Sequence, residues 1–156
     1  MATAYFAAGC FWGVQQRFSK LPGVIETRVG YMGGHIEDPD YRSVCSGTTG
    51  HAETVEVQFD ATAVSFEELL SCFFEWHDPT QVNRQGPDIG TQYRSAIYPS
   101  DDTQADEATA KIHSLNTSGR YSAPIATQIE SATTFWPAED YHQHYLQKRG
   151  LDHCGL

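Results

Sequence analysis

The sequence predicts an α/β (α+β) two-layer sandwich, with helices packed on a central mixed β-sheet and a largely irregular C-terminal tail. Three observations predict it. Short apolar or alternating segments interleave with amphipathic segments of helical period. Glycine, proline and Asp-Pro pairs punctuate the boundaries between them. The length of 156 residues, with 40% apolar content, suffices for one domain with a real core and is too short for two ordinary ones. A single domain over 1–156 is expected, with 148–156 as a mobile tail.

Residues 3–7 form a short apolar run, the pattern of a buried strand, and a helix is expected over 12–20, closed by Leu21-Pro22-Gly23. Val24 to Tyr31 alternates in part and predicts a second strand, which Gly33-Gly34 ends. A polar loop then runs to about His51. Loops of this length in a compact domain are usually functional or disordered, and the presence of Tyr41, Cys45, Gly47, Gly50 and His51 favours function. Thr54 to Phe59 alternates cleanly as a third strand. Ser65 and Glu68 have capping-box spacing, and Phe66, Leu69, Leu70, Phe73 and Phe74 then follow a helical period that Asp78-Pro79 ends. A second polar loop spans 78–92, and Tyr93 to Tyr98 predicts a strand. Ala105, Ala108, Ile112 and Leu115 mark one face of a helix from about 101 to 117, and Ile125 to Ile129 suits a further strand. Pro137 fits the first position of a last short helix, with Glu139 and Asp140 favourable in its first turn. The two polar loops are expected to open beside the start of the first helix.

The formal net charge is -10, and the ten Lys and Arg residues form no patch in sequence. Such a surface disfavours nucleic acid and anionic membrane, so neutral solutes or protein partners are expected. There is no apolar run of about 18 residues and no basic region leading into a long apolar stretch, so neither a membrane span nor a secretory signal is expected. Cysteines at 10, 45, 72 and 154 contain no C-x-x-C pair and lack zinc-site spacing. They suit a reducing, cytoplasmic compartment with one or two reactive thiols. No metal site is expected: His142 and His144 are two apart and would leave a helix on different faces.

Cys10 is the strongest nucleophile candidate. It lies in Gly9-Cys10-Phe11-Trp12-Gly13, where a strand is expected to end and a helix to begin. Unsatisfied N–H groups and the positive end of the helix dipole favour a thiolate there. A buried core cysteine is the bland alternative. Phe11 and Trp12 suit core packing, but both cannot easily point the same way, so one is expected to face solvent or a cleft, where it would make a pocket for a methyl or thioether group. Glu53 suits either a solvent-facing strand start or, if buried, a proton donor. Asp88 either caps a turn in its glycine-rich loop or lines a site. Tyr41 and Tyr93 fit core edges or neutral donors to a developing oxyanion. Cys154, near the end of the tail, is either idle or within reach of an oxidised active-site sulfur.

Gly9-Cys10-Phe11-Trp12-Gly13 resembles the active-site signature of the A-class peptide methionine sulfoxide reductases, which act on the S epimer. Gly30-Tyr31-Met32-Gly33-Gly34, Tyr41-Arg42-Ser43-Val44-Cys45-Ser46-Gly47, Gly50-His51-Ala52-Glu53, Gly90-Thr91-Gln92-Tyr93-Arg94-Ser95 and Ala138-Glu139-Asp140-Tyr141-His142-Gln143 extend the likeness over about residues 4–155. The resemblance implies a catalytic domain in which Cys10 is the nucleophile and Glu53 protonates the sulfoxide oxygen. Tyr41 and Tyr93 would hydrogen-bond that oxygen. Phe11 and Trp12 would hold the S-methyl group with Tyr145 nearby, and Asp88 would meet the substrate's amino or backbone N–H side. Cys154 matches a resolving position, and thioredoxin would be the reductant. Some relatives carry a second recycling cysteine further on, whereas this chain stops at Leu156, so one Cys10–Cys154 disulfide is the simplest consequence. His153 replaces the aromatic residue that precedes the resolving cysteine in some relatives. A monomer without metal or organic cofactor is expected. The rival readings are a thiol peroxidase and a non-catalytic binder of oxidised methionine.

Overall fold

The computed structural model of the chain describes residues 1–150. Its strands are β1 (Ala2–Ala8), β2 (Val24–Met32), β3 (Ala52–Phe59), β4 (Arg84–Gln85), β5 (Asp88–Ile89), β6 (Ser95–Tyr98), β7 (Gln128–Ile129) and β8 (Trp136–Pro137). Its α-helices are α1 (Phe11–Ser19), α2 (Tyr41–Cys45), α3 (Phe66–Trp76), α4 (Asp102–Thr117) and α5 (Tyr145–Lys148), with single 3-10 turns at Thr91–Tyr93 and Asp140–His142.

Six strands make one sheet in the order β7-β6-β1-β3-β2-β8, while β4 and β5 pair as a separate hairpin. All neighbours in the large sheet are antiparallel except β6 and β7, so the sheet is mixed as expected. Strand alternation sorts the side chains. Ala4, Phe6 and Ala8 of β1 join Val29, Val55 and Val57 beneath the helices, while Ala7 faces the other way with Met32, Ala52 and Ala96. The Phe6 ring lies 5.0 Å from Phe18 of α1 and 5.1 Å from Phe73 of α3, joining two helices to the central strand. The opposite face is covered by irregular chain: Ala132 and Phe135 pack there, and Arg28 binds Glu56 at 2.8 Å while lying over the Phe135 ring.

Local signals account for several boundaries. Ser65 accepts a hydrogen bond from Glu68 N–H at the start of α3. The reciprocal capping box occurs instead at α2, between Asp40 and Ser43, inside the segment expected to be loop. The helix expected from Pro137 does not form. Trp136 and Pro137 pair with Tyr31 and Gly30 of β2, and Ala138 N–H donates to Val29 O at 2.9 Å. Strand pairing at this edge outweighs the local helix signals, and an edge strand tolerates proline. A Cβ at Gly30 would collide with the Trp136 carbonyl, so the close approach requires glycine. His142 and His144 therefore share no helix: His142 ends a 3-10 turn and His144 has a left-handed φ of 52° before α5. Tyr93, expected as the first residue of a strand, closes the other 3-10 turn.

Candidate active site

Cys10 caps the N-terminus of α1, two residues after β1 ends. Gly9 makes the turn with φ of 92°, and a Cβ there would lie 2.8 Å from the Gln85 side chain. Only glycine combines that conformation with that closeness. Cys10 is half-buried, at a helix end whose dipole favours an anion.

The next residue brings in the carboxyl group. Phe11 N–H donates to Glu53 Oε1 at 3.1 Å. Glu53 stands on β3 opposite Tyr31 of β2 and is only 1% exposed. The solvent-facing alternative for this residue is thereby excluded. Taking a carboxyl group out of water disfavours its charged form, and the Phe11 N–H opposes that by stabilising charge on Oε1.

Tyr41 and Tyr93 face the same carboxyl group. Burial pushes both phenols well above their ordinary range, and the charge of Glu53 adds to the effect. Both hydroxyls thus keep their protons and serve as donors. Cys10 and Asp88 are also close enough to raise the Tyr93 phenol through their charge. Burial pushes the Cys45 thiol up, which disfavours the nucleophilic thiolate, while nearby Tyr41 and Tyr93 act the other way. Its nearness to the two phenols was not readable from the loop sequence. The Cys72 thiol, half-buried on α3, is also pushed up by burial, with Glu75 and Glu68 adding to it.

Several side chains hold the tyrosine-bearing segments. Glu139 accepts from Tyr31 OH at 2.9 Å and from Tyr41 N–H at 3.0 Å. His51 Nδ1 accepts from Gly34 N–H, so its Nε2 carries the proton and donates to Ile36 O at 2.7 Å. Arg94 donates to Thr91 O and Gly50 O, each at 2.9 Å, tying the Tyr93 turn to the loop before Glu53.

Phe11 and Trp12 diverge, as the sequence suggests. Phe11 is 1% exposed, with its ring 6.3 Å from Tyr41. Trp12 is half-buried and stacks on Tyr145 at 3.9 Å with 12° between the planes. Its indole Nε1–H donates to His142 Nδ1 at 2.9 Å, so the proton of His142 sits on Nε2. Burial lowers the pKa of His142 and keeps it the neutral acceptor this bond requires. The sequence offers His142 as a metal-ligand candidate and as part of the Ala138–Gln143 likeness, and no local pattern indicates its contact with Trp12, 130 positions away.

Asp88, in β5, shares a hollow of about 180 Å³ with Cys10, Gly13 and Trp76. The two polar loops do open beside α1. Contacts join Phe11 to Glu53 and Tyr41, and Trp12 to Tyr145, while Cys10 and Asp88 line the same hollow and Tyr93 lies within electrostatic reach of both. Cys154 lies outside the described residues. Among the described residues, no group of three His, Cys, Asp or Glu side chains is placed to hold a metal ion, and no helix is long and apolar enough to cross a membrane.

A family model described as peptide methionine sulfoxide reductase matches residues 2–156. The chain belongs to the peptide methionine sulfoxide reductase family. A relative from Geobacter sulfurreducens, named peptide methionine sulfoxide reductase MsrA, is 56% identical over 151 residues, which are 97% of this chain and 93% of the relative. The solved structure of Mxr1 from Saccharomyces cerevisiae in reduced form superposes with a TM-score of 0.87 at 35% identity, covering 99% of this chain and 87% of that one. Mxr1 has also been solved in complex with Trx2; that form matches 92% of this chain and 84% of its own at 25% identity, with a TM-score of 0.61. For a reductase of this family, the fold places a cysteine, a buried carboxyl group and two protonated phenols within one site.

Proposed function

We propose that this reductase converts L-methionine S-sulfoxide, free or in proteins, to methionine, with the roles that follow. The Cys10 thiolate attacks the sulfoxide sulfur. Glu53 delivers a proton to the oxygen while Tyr41 and Tyr93 donate hydrogen bonds to it. The sulfur–oxygen bond then breaks, the oxygen passes as hydroxyl to Cys10 Sγ, the sulfur–sulfur bond made in the attack breaks with its electron pair returning to the substrate sulfur, and methionine departs, leaving Cys10 as a sulfenic acid. Trp12, braced by Tyr145 and His142, forms the wall for the S-methyl group with Phe11 beneath it. Asp88 receives the substrate's amino or backbone N–H side.

Cys154 then attacks the sulfenic sulfur, giving a Cys10–Cys154 disulfide and water. Thioredoxin reduces that disulfide by thiol exchange. The complex of yeast Mxr1 with Trx2 supports this choice of reductant. In this reading the chain is one catalytic domain whose tail over 148–156 carries the resolving cysteine, and it works as a monomer in a reducing cytoplasm.

The observation that carries the mechanism is Glu53 Oε1 on Phe11 N–H, one residue from the nucleophile. The test supplies both sulfoxide epimers with dithiothreitol, then maps disulfides by mass after one turnover without reductant. Consumption of the S epimer alone and a Cys10–Cys154 link are expected. Peroxide consumption without sulfoxide reduction would replace this reading with a peroxidase. A link to Cys45 or Cys72 would overturn the resolving step.

A further inference from the structure

The hollow beside Cys10 differs from the oxygen pocket: neither Glu53 nor Tyr41 nor Tyr93 lines it. One wall is a stripe along α1 and the residue before it, made of Cys10, Gly13, Val14 and Arg17. These positions stand at i, i+3, i+4 and i+7 and so share a helix face. Gly13 contributes no side chain to that wall.

Two charged groups remain in the lining, Arg17 and Asp88. His77 also borders the hollow, but both of its ring nitrogens are used. Nδ1 donates to Phe73 O at 2.6 Å, and Nε2 accepts from Ser95 Oγ at 2.7 Å. Burial lowers its pKa to about 4, so it stays neutral at working pH. Among the described residues, Arg17 is anchored by one hydrogen bond, from Nη1 to Trp76 O at 2.8 Å. A guanidinium has five N–H donors in a planar fork suited to carboxylates, and this bond uses one.

We infer that Arg17 binds the α-carboxylate of free or C-terminal methionine sulfoxide, opposite Asp88 on the ammonium or N–H side. The hollow thus becomes a subsite for the amino-acid end of the substrate. This rests on the proposed reduction and adds the substrate class that the reductase favours. The span suits it. Seven helical residues separate Arg17 from Cys10 by about 10 Å, and helical side chains lean back toward the N-terminus. Four bonds separate the substrate's sulfur from its carboxyl carbon, about 5 Å when extended. An internal methionine sulfoxide presents a neutral amide at this point and gains nothing from the cation. In a chain of net charge -10, a cation lining the reaction cleft offsets the general repulsion of an anionic substrate.

The test compares kcat/KM, with dithiothreitol as reductant, for L-methionine S-sulfoxide and for its α-amide, which lacks the carboxylate. For R17M the ratio of free acid to amide is expected to fall about fivefold, the scale of an exposed charge-assisted contact, with the change carried by KM. R17K, which keeps the charge, should recover most of the ratio. An unchanged ratio in R17M overturns the assignment. An equal loss on both substrates also overturns it, because that assigns Arg17 only the support of Trp76. If the unaltered protein reduces neither compound, the proposed reduction itself fails, and the subsite with it.

Discussion

At the scale of single residues, the chemistry depends on a proton held where water is scarce. Glu53 meets the Phe11 N–H through Oε1, and a glutamine can keep that acceptor while losing the acid. E53Q therefore separates placement from proton supply. Its kcat is expected to fall about 100- to 1,000-fold with KM little altered, as for loss of a general acid. Thermal unfolding should confirm that the fold is kept. A loss confined to KM would assign Glu53 to binding instead. The sequence makes Cys10 legible because its neighbours encode a strand end, a turn and a helix start. Glu53 is not legible in the same way. Its neighbours describe an ordinary strand start, and its burial comes from pairing with Tyr31 and from α1 closing over it.

At the scale of elements, short pieces of chain hold the tyrosines in place. The five-residue helix α2 cannot sustain itself by propensity. It survives because Asp40 accepts from Ser43 N–H at 2.8 Å, Ser43 Oγ accepts from Asp40 N–H, and Glu139 receives Tyr41 N–H. Glu139 was expected to favour a helix start. In the folded chain it bridges β2 and α2 instead, a role that exists only once β8 has paired with β2. D40A removes the cap and should cost about 1 kcal/mol of stability. Tyr41 is the first helical residue after that cap, so its hydroxyl should lose definition as well. The expected result is a lower Tm together with a several-fold lower kcat. A lower Tm with unchanged kcat would mean that Glu139 alone positions Tyr41. The long helices and central strands follow from periodicity, whereas α2, β8 and the 3-10 turns depend on partners distant in sequence.

At the scale of the whole molecule, His77 links the sheet to the helical layer and makes stability depend on pH. It ends α3, receives the Ser95 hydroxyl of β6, and through Ser95 meets Thr127 at 2.8 Å. With Nδ1 donating to Phe73 O, Nε2 has to remain an acceptor. Protonation of Nε2 would set an N–H against the hydroxyl and place a charge in a buried site, and Arg17 nearby opposes that charge further. The imidazole accordingly titrates at about 4, below the ordinary 6.5. Between those values the unfolded chain binds the proton and the native chain does not, so stability rises with pH. The contribution is complete above about pH 6.5 and is lost as the pH falls toward 4. The loss is about 3 kcal/mol, near 10 °C in Tm for a chain of this size. H77Q removes the titration while offering an amide donor and acceptor to the same partners. Its Tm near pH 7 should lie below that of the unaltered protein. The gap should close between pH 6.5 and 4, because the substituted chain lacks this part of the slope. Parallel curves across that window would show that His77 is already charged in the native molecule, and its place as a neutral member of the hollow beside Cys10 would then have to be reconsidered.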